Sequence, residues 1–320
     1  PWATHQHLDR PGAPDAGNLM NIVITGANGA VGTALIRYLS AGGLLDAVHL
    51  RALVRSPAGA RSLHALGAEV LVVDYRQPEA LRGAVVGADV AVHLAGALLP
   101  RRGETLRQAN VETTRALVEA ATSAGVKTCV YLSFPGADPA SPNRYLRSKG
   151  MAEAIMQQAG FAGAIFRVPM ILGPDSPSAV QLRRMASAPL LPLVSGGAVR
   201  LQPIAQADVL AAIAWAIAVA PRPLRVLNLV GPETLTYAEL LRRVCDRLGK
   251  RPRVLRIPTA VAWLSAGLAG ALVPWLGWNP SVYDILFHEH LADPVEARAT
   301  LPFALTPVHA ALDQAISTLD

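Results

Sequence analysis

Three hundred and twenty residues suffice for about two domains and for a core that needs neither disulfides nor metals. With 52% hydrophobic and 16% charged residues the chain is excluded from the disordered class, and two cysteines, Cys129 and Cys245, exclude a disulfide scaffold and suit a reducing compartment. The net charge of +6 rests on arginines scattered singly and in pairs (only Lys127, Lys149 and Lys250 are lysines), with 5% aromatics, so the basic stripe of a nucleic-acid binder is missing and no nucleic-acid partner is expected.

Residues 1–19 begin with Pro, carry no periodicity and precede Met20. They read as an artificial remnant or a disordered extension, with Met20 as the natural start. No basic stretch followed by an apolar run is visible there, and a cytoplasmic location is expected.

From Asn21 onward short apolar runs alternate with longer amphipathic ones. Strands are predicted over 21–25, 48–54, 69–73, 89–94, 127–133 and 162–167, and helices over 30–41, 58–66, 78–83, 105–124 and 144–159. Alternating strands and helices imply a parallel sheet covered on both faces, and the nearly continuous Val/Ile/Leu/Ala strands fit that burial. The fold class is therefore α/β, a doubly wound parallel sheet of the dinucleotide-binding (Rossmann) type. It is expected over 20–172, with 203–230 returning to it. Residues 173–202 and 231–320 are expected to form a smaller C-terminal α/β substrate or partner domain. There a helix is predicted over 206–220, a strand over 225–230, a helix over 236–248 and a strand over 253–257.

From Ile257 to Tyr283 no residue is charged. Pro258 and Pro274 leave 15 residues between them, roughly 22 Å of helix at 1.5 Å per residue, too short to cross a hydrocarbon core of about 30 Å. The stretch is read either as a buried helix or as an apolar surface that docks on a membrane or a partner subunit. Trp263, Trp275 and Trp278 suit an interface, where an apolar ring carries a polar N–H.

Thr25-Gly26-Ala27-Asn28-Gly29-Ala30-Val31-Gly32 follows a strand and opens a helix. In this context Gly26 allows the tight turn, Gly29 the close approach of a pyrophosphate, and Gly32 the packing of helix on strand. The helix N-terminus then offers free N–H groups to phosphate. Gly26, Asn28, Gly29, Ala30, Val31 and Gly32 are the candidate phosphate cradle. The second strand ends in Arg55, where a carboxylate would hold a ribose 2′-hydroxyl and an arginine accepts a 2′-phosphate, so NADP(H) is favoured over NAD(H). Asp74, beside Tyr75 at the end of the third strand, either accepts from the adenine amino group or caps the following turn.

Tyr145 and Lys149 stand at i and i+4 on a predicted helix and share a face. A phenol titrates near pH 10, and a neighbouring ammonium lowers that value, so the pair is a candidate general acid/base beside a hydride carrier. His288-Glu289-His290 lacks a third ligand group and no metal is expected. Cys129 and His93 read as core or cofactor-edge residues, and Ser133 lacks the nucleophile-elbow context of a hydrolase.

Thr25–Gly32, Val92-His93-Leu94-Ala95-Gly96, Tyr145/Lys149, Arg167–Pro174, Gln202–Val209, Asn228–Glu233 and Leu235–Leu240, in that order, resemble the short-chain dehydrogenase/reductase superfamily in its extended and atypical two-domain branch. The similarity covers about residues 20–260. Val54-Arg55 and Tyr145–Lys149 followed by Ala152-Glu153 are most similar to the subgroup that includes the NADPH-binding accessory subunit of respiratory complex I and its bacterial relatives. The resemblance implies that Leu94, Ala95 and Gly96 lie along the cofactor, that Lys149 bonds the nicotinamide ribose, and that Pro169, Ile171 and Leu172 line the nicotinamide. It also implies a Ser or Thr just past the fifth strand, where this chain has Phe134 or Pro135. Ser133 lies one or two residues early, and a two-residue slip displaces a side chain by roughly 6–7 Å. The expectations are an NADP(H)-dependent oxidoreductase on a small carbonyl or hydroxyl substrate or, alternatively, a non-catalytic NADPH-bound accessory, assembly or redox-sensing protein. The latter would contact a membrane or respiratory complex through 257–283, peripheral to the inner face of the membrane. An NAD-dependent sugar-nucleotide epimerase or dehydratase is the third alternative, against which Arg55 weighs.

Overall fold

Runs of Val, Ile, Leu and Ala that can be buried on both faces become the central strands of a computed structural model describing residues 19–42, 45, 47–101, 103–258, 260–261, 284–285 and 288–316. Residues 1–18 and most of the uncharged stretch 257–283, its three tryptophans included, lie outside the described residues. The first half runs β1 (Met20–Thr25), α1 (Ala30–Ser40), β2 (Val48–Val54), α2 (Pro57–Arg61), β3 (Glu69–Val72), α3 (Pro78–Val85), β4 (Val90–His93), α4 (Thr113–Ser123), β5 (Thr128–Ser133), α5 (Arg144–Gln158) and β6 (Ala162–Arg167). The second half runs β7 (Ile171–Leu172), α6 (Pro177–Ser187), β8 (Leu190–Val194), β9 (Arg200–Leu201), β10 (Ile204–Ala205), α7 (Gln206–Val219), β11 (Arg225–Asn228), β12 (Leu235–Thr236), α8 (Tyr237–Arg247), β13 (Arg253–Ile257), α9 (Val295–Thr300) and α10 (Val308–Ile316).

Among the described residues the main sheet has seven strands in the order β3-β2-β1-β4-β5-β6-β11, all parallel. This is the doubly wound α/β architecture expected from the sequence. The strand order reverses between β1 and β4, and the crevice outside the carboxyl ends of the strands at such a switch point is where open α/β sheets bind ligands.

Period-two alternation sorts the side chains into two layers. Ile22 and Ile24 of β1 pack with Leu35 and Ile36 of α1 and with Ile213 and Trp215 of α7. Val23, between them, packs on the other face with Leu117 of α4 and Met156 of α5. Each fully buried aliphatic of this kind contributes about 1.5–3 kcal/mol. A third cluster joins Leu182 of α6, Leu191 and Leu193 of β8, Leu240 and Val244 of α8, and Leu312 of α10.

Two predicted helices differ in form. The helix predicted over 58–66 is α2, started by Pro57 behind the Ser56 cap, and then a separate 3-10 turn, His64–Leu66, ended by Gly67 at φ +75°. The helix predicted over 105–124 opens as a π-helical stretch, Arg107–Glu112, before continuing as α4. Such bulges accompany functional sites, and this one carries Asn110 to the switch-point crevice.

Candidate active site

Gly26, at φ +64°, turns the chain out of β1. A Cβ there would stand 2.7 Å from the Ala95 nitrogen and the Leu94 carbonyl carbon, so only glycine lets the turn lie against the end of β4. At Gly32 a Cβ would stand 2.6 Å from the Gly26 oxygen, so the first turn of α1 packs directly on the loop. Gly29 caps α1, and its own N–H donates to the Gly26 oxygen at 2.9 Å. The amides of Ala30, Val31 and Gly32 are first-turn donors, a ready anion site. Asn28 lies against the start of α2, where a Cβ on Gly59 would stand 2.7 Å from its Nδ2. Glycine at 26, 29 and 32 keeps side chains off this turn, and the first-turn amides of α1 are the donors a pyrophosphate takes, so the cradle fits a dinucleotide.

A buried polar network holds the facing wall. The Thr25 hydroxyl accepts from the Ala95 amide at 3.3 Å and pairs with His93 Nδ1 at 2.7 Å, while His93 Nε2 pairs with the Thr114 hydroxyl at 2.9 Å. Burial, aided by the nearby Lys149 charge, pulls His93 down to about 3, so the ring is neutral and joins strand ends. Asn110 Oδ1 accepts from the Ala97 amide at 2.9 Å, and its Nδ2 donates to the Ala97 carbonyl and to Ser148 Oγ, both at 3.0 Å. Ser148 in turn donates to the Tyr145 carbonyl at 2.7 Å. The 95–97 loop is thereby fastened to α5.

At the far end of the crevice Arg55 follows β2 and donates through Nη1 to Glu104 Oε1 at 2.6 Å. The other Glu104 oxygen accepts from the Arg101 amide at 3.3 Å. Asp74 takes both the backbone amide and the guanidinium of Arg76, which hold its carboxyl down at about 2. These bonds close the turn that follows β3. Tyr75 is buried beside it.

Tyr145 and Lys149 stand on α5, whose first turn is capped by Asn143 Oδ1 accepting from the Tyr145 and Leu146 amides at 2.8 and 3.2 Å. Lys149 is 5% exposed, donates to the Leu132 carbonyl at 2.6 Å, and lies 4.2 Å above the Tyr131 ring. Burial pulls it down to about 7, against the opposing charge of Glu153. A Cβ on Gly96 would stand 3.9 Å from its Nζ, so Lys149 and the 95–97 loop share the crevice. Burial raises the Tyr145 hydroxyl above its ordinary value and keeps it a phenol near neutrality. Phe134 packs edge-on against Tyr145, ring centroids 5.6 Å apart, and also against His290 at 5.5 Å. Ser133 Oγ is buried without a partner. Behind them Arg167 grips Glu153 with two bonds, 3.0 and 2.6 Å, and reaches the Ala137 carbonyl at 3.1 Å, tying α5, β6 and the 134–137 loop together.

Pro169 follows β6, and the preceding Val168 amide donates to Ser133 O at 3.2 Å. Ile171 is partly buried against the first core layer, whereas Leu172 is 1% exposed and packs in the third cluster. Cys129, buried beside Met156 and raised to about 12 by that burial, is a core residue. The His288-Glu289-His290 side chains diverge: His288 pairs with Asp284 at 2.8 Å, Glu289 with Arg200 at 2.7 Å, and His290 meets Phe134. Among the described residues no group of three or more His, Cys, Asp or Glu is arranged to hold a metal. Asn110, Thr114 and Glu104 were not singled out in the sequence, and Arg167 entered only as the first residue of the Arg167–Pro174 motif. The one signal for Asn110 was an amide within an otherwise amphipathic run.

A glycine cradle at the switch point of a parallel sheet, faced by a buried lysine and a phenol, defines a dinucleotide-binding protein of the Rossmann class. The chain belongs to the NAD(P)H-binding family, which residues 26–213 match. It is 31% identical over 273 residues to the ceramide reductase of Caulobacter vibrioides, covering 82% of this chain and 81% of that protein. To the mitochondrial NADH dehydrogenase (ubiquinone) 1 alpha subcomplex subunit 9 of Arabidopsis thaliana it is 28% identical over 265 residues, covering 80% of this chain and 65% of that one. In fold it is similar to the dTDP-glucose 4,6-dehydratase of Streptomyces venezuelae solved with NAD, with a TM-score of 0.75, 19% identity and coverage of 93% and 96% of the two chains. These relatives accord with the extended and atypical branch of the short-chain dehydrogenases/reductases.

Proposed function

We propose that the protein is an NADP(H)-dependent oxidoreductase acting on a small carbonyl or alcohol. The observation that supports the reading is Lys149 Nζ, 3.9 Å from where a Cβ on Gly96 would stand, with Tyr145 one turn before it on the same helix. When bound, the cofactor supplies or accepts the hydride at the substrate carbon. Tyr145, held as a phenol by burial, gives its proton to the carbonyl oxygen in reduction. Lys149, poised near neutrality, holds the ribose hydroxyls. Arg55, at the end of β2, takes the 2′-phosphate in exchange for Glu104 and favours NADP(H). Tyr145→Phe is expected to abolish NADPH-dependent turnover of a small carbonyl panel and to leave NADPH affinity within about threefold. Equal turnover in the variant would overturn the role of Tyr145. Arg55→Ala is expected to remove about 1.5–3 kcal/mol of NADPH binding, as for hydrogen bonds to a charged group, and to spare NADH.

A second reading is favoured by Phe134 and Ser133. An apolar ring borders Tyr145 where a substrate-polarising hydroxyl was expected, and the nearest serine is buried. On that reading the nucleotide stabilises an accessory or assembly protein that contacts a membrane-bound respiratory complex, in line with the plant subunit it resembles. NADPH binding without turnover, together with co-purification with such a complex, would favour it. An NAD-dependent epimerase or dehydratase would instead bind NADH in preference and be indifferent to Arg55→Ala.

A further inference from the structure

Among the described residues the small parallel sheet β8–β13 has one face of β8 in the core and the opposite face without a cover. Leu191 and Leu193 are buried in the third cluster, 3% and 5% exposed. Their neighbours in the strand therefore point the opposite way. The register pairs Leu190 with Arg253, Pro192 with Leu255 and Val194 with Ile257, and paired residues of adjacent strands project to one side. Among the described residues that outer face is apolar and wet: Leu190 is 47% and Leu255 45% exposed, with Pro192 exposed beside them.

Cations frame the patch. Lys250, Arg251, Arg253 and Arg256 are all exposed, Lys250 and Arg251 in the loop before β13, Arg253 on this face, and Arg256, paired with Leu193, on the other. Among the described residues none of the four has an acidic partner, although Arg242, Arg243 and Arg247 in the neighbouring helix α8 each have one. Between Asp246 and Asp284 the sequence holds no acidic residue at all, and after Arg256 it runs uncharged to Tyr283 with three tryptophans. Asp246 is taken by Arg242, and Asp284 by His288 and Asn143.

We propose that the outer face of the β8–β13 sheet, with Arg253 on it and Lys250 and Arg251 in the loop before it, docks on the surface of an anionic phospholipid bilayer. Three cations within four residues, without an acidic partner among the described residues, match the charge of anionic headgroups. The aliphatic side chains between them enter the headgroup boundary, which a charged protein partner would not solvate. Uncharged sequence rich in tryptophan, continuous with the strand, is the composition that interfaces accept. No described helix is long and apolar enough to cross a membrane, so the contact is a surface one. The surface is remote from Tyr145 in sequence and does not depend on the catalytic reading.

The test is sedimentation of the full chain with vesicles of phosphatidylcholine alone and of phosphatidylcholine with phosphatidylglycerol. Binding is expected to the mixed vesicles, to weaken in high salt, and to be slight with phosphatidylcholine alone. A basic residue near an anionic surface contributes about 1 kcal/mol, or about fivefold in partition. Arg251→Gln/Arg253→Gln is therefore expected to lower partition roughly twentyfold with NADPH affinity unchanged. Lys250→Gln/Arg251→Gln, in the loop before the strand, is expected to act alike and serves if the strand variant misfolds. Equal binding to neutral vesicles, no binding to either kind, or variants that bind as tightly as the parent would each overturn the proposal. Capture of a protein partner through this face with no vesicle binding would do so too.

Discussion

Glu104 holds the guanidinium that the proposed reading assigns to a 2′-phosphate, and replacing it tests how Arg55 reads the cofactor. In the structure Glu104 Oε1 lies 2.6 Å from Arg55 Nη1, with side-chain exposures of 20% and 36%. A partly exposed pair of this kind contributes about 0.5–1 kcal/mol. Phosphate binding must give that up, because the same guanidinium serves both anions. A carboxylate that stays within about 5 Å of the incoming phosphate adds a like-charge term, about 0.8 kcal/mol per unit charge in water-like surroundings. Glu104→Gln keeps an acceptor for the Arg101 amide but removes the charge. It is expected to tighten NADPH binding by about 1–2 kcal/mol, or five- to thirtyfold, with NADH affinity nearly unchanged. Calorimetric titration of both nucleotides into parent, Glu104→Gln, Arg55→Ala and the double variant gives the coupling directly. Weaker NADPH binding in Glu104→Gln would mean that the carboxylate holds Arg55 ready, and the competition argument would be wrong. An unaltered NADPH affinity in Arg55→Ala would place the phosphate elsewhere and leave Glu104 irrelevant to it.

Three further expectations concern the frame of the site. Glu153→Gln leaves the half-buried Arg167 without its two-bond partner and should cost about 2–4 kcal/mol by urea unfolding; a loss below about 1 kcal/mol would show that the pair is dispensable. Lys149, at about 7 when folded against about 10.4 unfolded, binds fewer protons in the native state between these values, so its contribution to stability rises across that window and is lost as pH falls toward 7. Between pH 7 and 10 the parent should therefore gain roughly 2–4 kcal/mol on Lys149→Met in unfolding free energy, and parallel curves would refute the burial argument. Gly26→Ala combines strain at φ +64° with a Cβ 2.7 Å from the Leu94 carbonyl carbon, whereas Gly42→Ala, at φ +71° with open space, carries the strain alone. The first should cost more than the second, which should lose about 1–2 kcal/mol, and only the first should lower NADPH affinity more than tenfold.

The parts of this fold written in local periodicity were legible in the sequence. Parallel strands buried on both faces must be apolar throughout, and β1, β4 and β5 announce themselves that way. The glycine turn was legible for the same local reason: each glycine is required by atoms within a few residues or by the adjoining end of β4. Helix forms were less so, because nothing in 58–66 states that Pro57 starts one short helix and Gly67 ends a separate turn. The π-helical opening at Arg107–Glu112 was invisible, since an amphipathic run tolerates an extra residue per turn as readily as an α-helix does.

What the sequence concealed were the long-range polar partners. Arg55 reads as a free cation at a strand end, yet its carboxylate comes from 49 residues away on a loop with no periodic signal. Asn110 meets Ala97 and Ser148 only because β4, the π-helical stretch and α5 converge at the switch point. The lysine expected to lower the pKa of Tyr145 instead lies over the Tyr131 ring, a side chain on the adjacent strand with no local link to the Tyr/Lys spacing. Strand parity explains the serine as well. Cys129, Tyr131 and Ser133 share the face of β5 packed under α4 and α5, so Ser133 is drawn into the core and Phe134 emerges beside Tyr145. A shift of one residue in β5 would exchange these positions, because side chains alternate along a strand. The chemistry at Tyr145 is thus set by the register of a strand whose own residues carry no mark of it.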